Sequence, residues 1–189
     1  FNTIVKNSKI NHSELPYIYQ EINSILYENL HERLAEKSKS GKEFNYMFMT
    51  LKIFRFDNYG NFEIFGTDFV DPFICRKNGD IIDIKSSGRL LGIHKNAINK
   101  NEISSFKLEK DDLFILYSDG ITEAKNTTKR KIKIEKRKDY MFGNKRLKDI
   151  VLQNRHLQCE QISKIIIKKV EKWMLHQEDD MTIVIIKKK

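Results

Sequence analysis

Hydrophobic residues recur at helical spacing early in the chain, between Ser13 and Ser40. Ser13 is a suitable N-cap and Pro16 suits the first turn of a helix. The apolar positions expected on one face are Ile18, Ile22, Ile25, Leu26, Leu30 and Leu34. Because a period near 3.6 places such residues on one side of a helix, the pattern predicts an amphipathic helix from Ser13 to about Ser40.

Short apolar and aromatic stretches separated by turn residues dominate the middle of the chain. Residues 44–56 are rich in aromatic side chains, and the turn sequence Asp57-Asn58-Tyr59-Gly60 leads into a second stretch at 61–65, which predicts a hairpin. The other predicted strands cover 73–76 and 81–84, which form a second hairpin, then 104–108, 112–117 and 181–186. These strands predict antiparallel sheets.

Two further helices are predicted in the last third of the chain. One of about ten residues carries Leu147, Ile150, Val151 and Leu152, and a longer one runs from Glu160 to about Leu175. Cys75 falls in a predicted strand and Cys159 at a helix start, so both are interpreted as packing residues.

The composition is that of a globular protein. With 189 residues and 40% hydrophobic content, the chain is long enough to bury a sizeable core. No run of roughly 18 apolar residues is present, so no membrane span is expected in this segment. The chain starts without Met or a signal-peptide pattern, and its two cysteines have no disulfide or zinc spacing. We therefore expect a fragment of a longer cytoplasmic protein.

The net charge of +9 is concentrated in one segment. From Lys125 to Lys138 there are eight basic residues against the single acid Glu135. Three interpretations are open: a solvated loop, a flap that docks an acidic or phosphorylated partner, or a nucleic-acid contact. Because the rest of the chain is close to neutral, nucleic acid is the least favoured of the three.

Aspartates adjoin two of the hydrophobic strands. Asp119 follows the strand predicted at 112–117, and Asp179 and Asp180 precede the one at 181–186. If these strands pair antiparallel, Asp119 and Asp179 meet at one margin of a sheet, where carboxylates can bind Mg²⁺ or Mn²⁺. The alternative is that the aspartates are ordinary solvated turn residues.

Three sequence motifs follow one another in the last part of the chain. Residues 111–124 read DDLFILYSDGITEA, Phe142-Gly143 precedes a helix with a basic-Leu pair, and Asp179-Asp180-Met181-Thr182 precedes the last strand. In sequence and order these motifs resemble the SpoIIE-like, RsbU-type branch of the protein phosphatase 2C superfamily, in which the first motif reads Gly-Asp-x-Leu-x-Leu-Tyr-(Thr/Ser)-Asp-Gly-(Ile/Val)-Thr-Glu-Ala. Weaker likenesses at 48–51 and 88–93 extend the resemblance over nearly the whole chain.

The resemblance implies an α+β fold, a four-layer α-β-β-α sandwich of two antiparallel sheets flanked by helices. It implies that residues 1–189 are part of a metal-dependent phosphoserine/phosphothreonine protein phosphatase domain. In the family two Mn²⁺ or Mg²⁺ ions activate the water that attacks phosphorus, and no protein nucleophile or other cofactor is implied. Asp119 and Asp179 match the metal-ligand positions, with Asp180 supporting the turn.

The chain departs from the family at several positions. The family's Gly-Gly-Asp and Asp-Val-x-Gly-His-Gly motifs do not occur, so we expect them before Phe1, the first strands of the domain to be missing, and this fragment alone to be inactive. No histidine occupies 66–72, where Gly-His is common, and Asp111 stands where a glycine commonly precedes the aspartate.

The resemblance also suggests partners. The implied substrates are phosphorylated signalling proteins, such as STAS-type anti-sigma-factor antagonists in partner switching. The competing hypothesis is a phosphatase-like domain that has lost catalysis and acts as a protein-binding module. Sheet edges exposed by missing strands would offer a route to a homodimer.

Overall fold

The computed structural model describes residues 15–38, 48–85, 88–98, 103–126 and 140–189. The elements in chain order are α1 (Leu15–Ser38), β1 (Leu51–Phe56), β2 (Asn61–Thr67), β3 (Phe73–Cys75), β4 (Ile81–Asp83), β5 (Ser104–Lys107), β6 (Leu113–Tyr117), α2 (Asp119–Thr122), α3 (Gly143–Asn154), α4 (Cys159–Trp173) and β7 (Ile183–Lys187). They form two compact units, one from Phe1–Phe69 and Lys85–Lys107 and the other from Val70–Ile84 and Leu108–Lys189.

The first unit is a three-stranded antiparallel sheet with the order β1-β2-β5, against which α1 packs. Tyr19 on α1 is fully buried, and its ring meets Phe65 of β2 edge to face with centroids 5.3 Å apart. The buried side of the helix is thus centred on Tyr19 and Ile22, whereas Ile25, which was predicted to lie on it, is exposed. The Tyr19 ring also lies against Gly66 of β2, where an added Cβ would come within 2.9 Å of it.

Helix α1 also holds the segment 88–98 of the same unit. The Asn23 side chain is fully buried, accepts a hydrogen bond from the Gly92 amide (2.9 Å) and donates to the carbonyls of His94 (2.9 Å) and Lys95 (3.1 Å). Tyr19 donates from its hydroxyl to the Arg89 carbonyl at 2.6 Å. This irregular segment is therefore fixed by polar side chains of a helix, which satisfy backbone groups that have no strand partner.

The second unit is a four-stranded antiparallel sheet with the order β4-β3-β6-β7. Strand β6 lies between β3 and β7 and is hydrophobic throughout, and its consecutive residues Leu113, Phe114 and Ile115 are fully buried. Helices α3 and α4 supply the rest of this core through Leu147, Val151, Ile162, Ile166 and Val170. The three buried residues of α4 recur every four positions, as an amphipathic helix requires.

Most of the predicted elements are confirmed. Both hairpins form, and the turn of the second is closed by hydrogen bonds between Arg76 and Asp80 (2.8 Å) and between Gly79 and Arg76 (2.9 Å). The strand predicted at 44–56 begins at Leu51 in the described part, and Met49 forms only an isolated bridge. Ser13 and residues 44–47 lie outside the described residues.

The predicted fold class is confirmed: two antiparallel sheets are flanked by helices in an α+β arrangement. Among the described helices, not one combines the length and the apolar character needed to cross a membrane.

Candidate metal centre

The predicted pairing of the strands next to the aspartates is confirmed. β6 and β7 are antiparallel neighbours, and Tyr117 at the end of β6 lies opposite Ile183 at the start of β7. The residues that follow β6 therefore adjoin those that precede β7. Since Asp119 lies two positions after Tyr117 and Asp179 four positions before Ile183, both belong to this margin of the sheet.

A single helical turn, α2, carries the first aspartate. Asp119 is its first residue and is half-buried. Its carbonyl accepts hydrogen bonds from the Glu123 amide (2.7 Å) and the Thr122 hydroxyl (3.3 Å), while its carboxylate accepts one from the Gly120 amide (3.0 Å). This turn was not predicted, because four residues are too few to show a helical period.

Gly120 brings the two aspartate-bearing segments into contact. A Cβ atom at this position would lie 2.3 Å from the carbonyl oxygen of Asp180 and 3.4 Å from the carbonyl carbon of Asp179. The backbones of the two segments thus touch at a distance that only glycine permits. The Asp-Gly sequence is explained by this close approach.

The second segment is held by hydrogen bonds of its own. Asp179 is exposed, and its carboxylate accepts a hydrogen bond from the Asp180 amide at 2.8 Å. The Asp179 carbonyl accepts one from the Gln177 side chain at 2.9 Å. The Asp180 carbonyl accepts a hydrogen bond from the Ser118 hydroxyl at 2.9 Å, so the backbone of Asp180 helps to fix the turn that precedes β7.

Two carboxylates on touching backbones suit a hard divalent cation, which prefers carboxylate oxygens and keeps several waters. Within the described ranges, however, no group of three or more His, Cys, Asp or Glu side chains is arranged to hold a metal ion. The structure thus brings together the backbone segments that carry Asp119 and Asp179, and the role of the two side chains as metal ligands stays a prediction.

The two cysteines lie in the second unit, away from disulfide partners. Cys75 is buried in β3 and Cys159 is the first residue of α4, and both are free thiols. Burial raises the pKa of the Cys75 thiol, which disfavours the nucleophilic thiolate. Both were predicted in these positions.

The basic run begins beside the same margin. Lys125 forms an ion pair with Glu178, the residue before Asp179, and this hydrogen bond raises the pKa of the Lys125 ammonium. The described residues on either side of the run are joined, because the Asn126 amide donates to the Tyr140 carbonyl (2.8 Å) and the Phe142 amide to the Ala124 carbonyl (2.9 Å). Residues 127–138 of the predicted run lie outside the described residues.

The sequence matches a known family over almost its whole length. The model of the family described as Stage II sporulation protein E (SpoIIE) covers residues 2–189. No curated protein sequence matches the chain.

Several solved structures resemble the chain. The RsbU and RsbW domains of Rv1364c from Mycobacterium tuberculosis align with 98% of this chain and 45% of theirs, at 12% identity and a TM-score of 0.62. The catalytic domain of the serine/threonine protein phosphatase PstP, in complex with two manganese ions, aligns with 97% of this chain and 75% of its own, at 10% identity and a TM-score of 0.60. The phosphatase domain of the cell fate determinant SpoIIE from Bacillus subtilis aligns with 95% and 75%, at 21% identity and a TM-score of 0.49.

The first two of these structures share the fold of the chain, two antiparallel sheets flanked by helices. The chain spans between 45% and 75% of the lengths of the three proteins.

Proposed function

This chain belongs to the SpoIIE family, and from that premise we propose that it is part of a metal-dependent phosphoserine/phosphothreonine protein phosphatase. One observation carries the proposal: the contact of Gly120 with the Asp180 carbonyl brings the segments of Asp119 and Asp179 together at one sheet margin. The two carboxylates would be ligands of a Mn²⁺ or Mg²⁺ centre, which has two ions in the intact domain.

The two aspartates of this chain would contribute to catalysis by holding the metal ions in position. When bound, the ions would lower the pKa of a water and neutralise the phosphoryl oxygens. Asp119 would hold its ion from a turn in which its own carbonyl accepts hydrogen bonds from Thr122 and Glu123. Asp179 would hold its ion from a segment in which the carbonyls of Asp179 and Asp180 accept hydrogen bonds from Gln177 and Ser118. No side chain of this chain is proposed as a nucleophile.

We propose a phosphorylated signalling protein as the substrate, such as an anti-sigma-factor antagonist. Support comes from the similarity to an RsbU domain found in one chain with an RsbW domain. The two free thiols favour a reducing cytoplasm as the location. The basic run that starts at Lys125 would suit an acidic partner surface.

The test is release of phosphate from a phosphoserine protein by the full-length parent protein with and without Mn²⁺. Asp119→Asn and Asp179→Asn should each lower the rate at least about 100-fold, since a neutral amide binds the cation poorly. Asp149→Asn, on the exposed side of α3, is the matched control and should leave the rate unchanged. Equal rates for Asp119→Asn and the control would refute the assignment.

A protein-binding module without catalysis is the second candidate. It is favoured by the finding that the described residues offer no cluster of three or more metal-binding side chains. It predicts that the parent protein binds a phosphorylated signalling protein but leaves it phosphorylated in saturating Mn²⁺. Turnover under those conditions would exclude it.

A further inference from the structure

The side chain of Ser118 does not make the capping hydrogen bond that its position at the start of α2 predicts. It is the N-cap residue of α2, with φ −88° and ψ 160°. Serine at such a position ordinarily accepts a hydrogen bond from an amide in the first turn of the helix. Here the side chain makes no capping hydrogen bond.

The Ser118 hydroxyl instead spans the gap to the opposite segment. It donates to the Asp180 carbonyl at 2.9 Å and accepts from the Thr182 amide at 2.9 Å. The Ser118 amide donates to the Thr182 carbonyl at 3.0 Å. One side chain thus continues the hydrogen bonding of β6 and β7 beyond the last paired residues, and it uses its donor and an acceptor in doing so.

The hydrogen bonds of the Ser118 side chain, called here the Ser118 bridge, lie next to both aspartates in the sequence. Ser118 directly precedes Asp119, and the carbonyl that its hydroxyl holds belongs to the residue after Asp179. Without the hydroxyl, the Asp180 carbonyl and the Thr182 amide would form hydrogen bonds with water instead. The exposed segment at 179–182 would then make fewer hydrogen bonds to the end of β6. The spacing of the two aspartates therefore depends on a neutral side chain that need not touch an ion.

We propose that Ser118 is a positioning residue, whose hydroxyl fixes the Asp179 segment against Asp119 and thereby sets the affinity of the centre for its divalent cation. The inference rests on the proposed function for the metal, but the bridge itself is independent of it. Loss of a residue that orients metal ligands commonly weakens binding by about 10-fold or more.

The experiment compares Ser118→Ala, Ser118→Thr and Ser163→Ala in the full-length parent protein. Ser163 is the matched control, since its hydroxyl also donates to a carbonyl, that of Glu160, but within α4. Free Mn²⁺ is measured by electron paramagnetic resonance during titration, and hydrogen exchange at the Thr182 amide is measured without metal.

Ser118→Ala should exchange the Thr182 amide faster and bind Mn²⁺ about 10-fold more weakly. Ser118→Thr, which keeps the hydroxyl and suits an extended backbone, should restore both, and Ser163→Ala should match the wild type. The melting temperature without metal should be similar in Ser118→Ala and Ser163→Ala, which separates positioning from general stability.

Two results would overturn the inference in different ways. If the wild type binds Mn²⁺ and Ser118→Ala binds it equally well, Ser118 does not position the ligands and the proposed function stands. If the wild type binds no Mn²⁺ at all, the proposed function fails, and this inference fails with it.

Discussion

The guanidinium of Arg76, just after β3, donates a hydrogen bond to the buried carboxylate of Asp112, just before β6. The same carboxylate accepts hydrogen bonds from the amides of Lys77 (3.0 Å) and Glu109 (2.8 Å). A single side chain thus ties the turn of the second hairpin to the turn that starts the central strand. It lies at the opposite end of β6 from Asp119.

Replacing Asp112 should therefore destabilise the second unit. Asp112→Ala removes the carboxylate that accepts hydrogen bonds from two amides and from the Arg76 guanidinium, so we expect the free energy of unfolding to fall by about 2 to 3 kcal/mol. Asp112→Asn retains one acceptor oxygen and should cost less. Urea denaturation measures both, with Asp149→Asn as the surface control. If Asp112→Ala lowers the free energy of unfolding no more than the control does, the amides of Lys77 and Glu109 find other acceptors.

Gly120→Ala should separate the two aspartate segments. The added Cβ would collide with the backbone carbonyl of Asp180. Because a backbone atom cannot rotate away as a side chain can, the whole segment would have to move. We expect a loss of about 2 kcal/mol in stability together with loss of Mn²⁺ binding by the parent protein.

Gly143→Ala provides the contrasting case for that experiment. Gly143 has φ +77°, and no described residue outside its own helix and chain neighbours has an atom within 4 Å of its missing Cβ. Among the described residues, alanine there therefore strains only its own backbone. It should lower stability but leave Mn²⁺ affinity unchanged. Equal Mn²⁺ affinities for Gly120→Ala and Gly143→Ala would argue against the close approach.

Asn23→Ala should release the segment that α1 holds. It removes an acceptor from the Gly92 amide and donors from two carbonyls in a fully buried place, which predicts a loss of about 2 to 3 kcal/mol. Hydrogen exchange at Gly92 should accelerate. Asn29→Ala, on the exposed side of the same helix, is the control and should change little.

Stability should decline at alkaline pH because of two tyrosines. Burial raises the pKa of Tyr19 and of Tyr117 to about 12, against about 10 in an unfolded chain. Between these values the unfolded state loses a proton that the folded state keeps. The stabilisation from each phenol is complete below pH 10 and is lost as the pH rises to about 12, by up to about 2 kcal/mol.

Urea denaturation at pH 9, 10 and 11 measures this decline. Tyr117→Phe should show a shallower fall in stability with pH than the wild type. Tyr59→Phe, at an exposed position, should follow the wild type. Parallel curves for all three proteins would mean that Tyr117 ionises in the folded state as it does in the unfolded chain.

The strands and the two hairpins were predictable from the sequence, because turn residues such as Asp57 and Gly79 mark where apolar runs reverse. The approach of the Asp119 and Asp179 segments was predicted on the condition that their strands pair antiparallel, and that pairing is confirmed. The pairings of β2 with β5 and of β3 with β6 were not predicted, because they join strands that are distant in sequence. The buried face of α1 was not predictable, since periodicity gave Tyr19 no advantage over Ile25.

Local conformations with a tertiary cause also escaped prediction. Asp111 stands where the family has glycine, and it adopts the left-handed φ of +70° that glycine favours, with its carboxylate paired to Lys77. The Ser118 bridge depends on a partner 62 residues away, so no local pattern could reveal it.

The bridge between Ser118 and Asp180 has a consequence for the order of folding. Contacts between residues so distant in sequence are slow to form, because the intervening chain must lose its freedom before the contact can stabilise anything. During synthesis, the aspartate at 119 leaves the ribosome long before its counterpart at 179 exists. The proposed metal centre would therefore form late in folding, and cation binding would indicate that β7 has paired with β6.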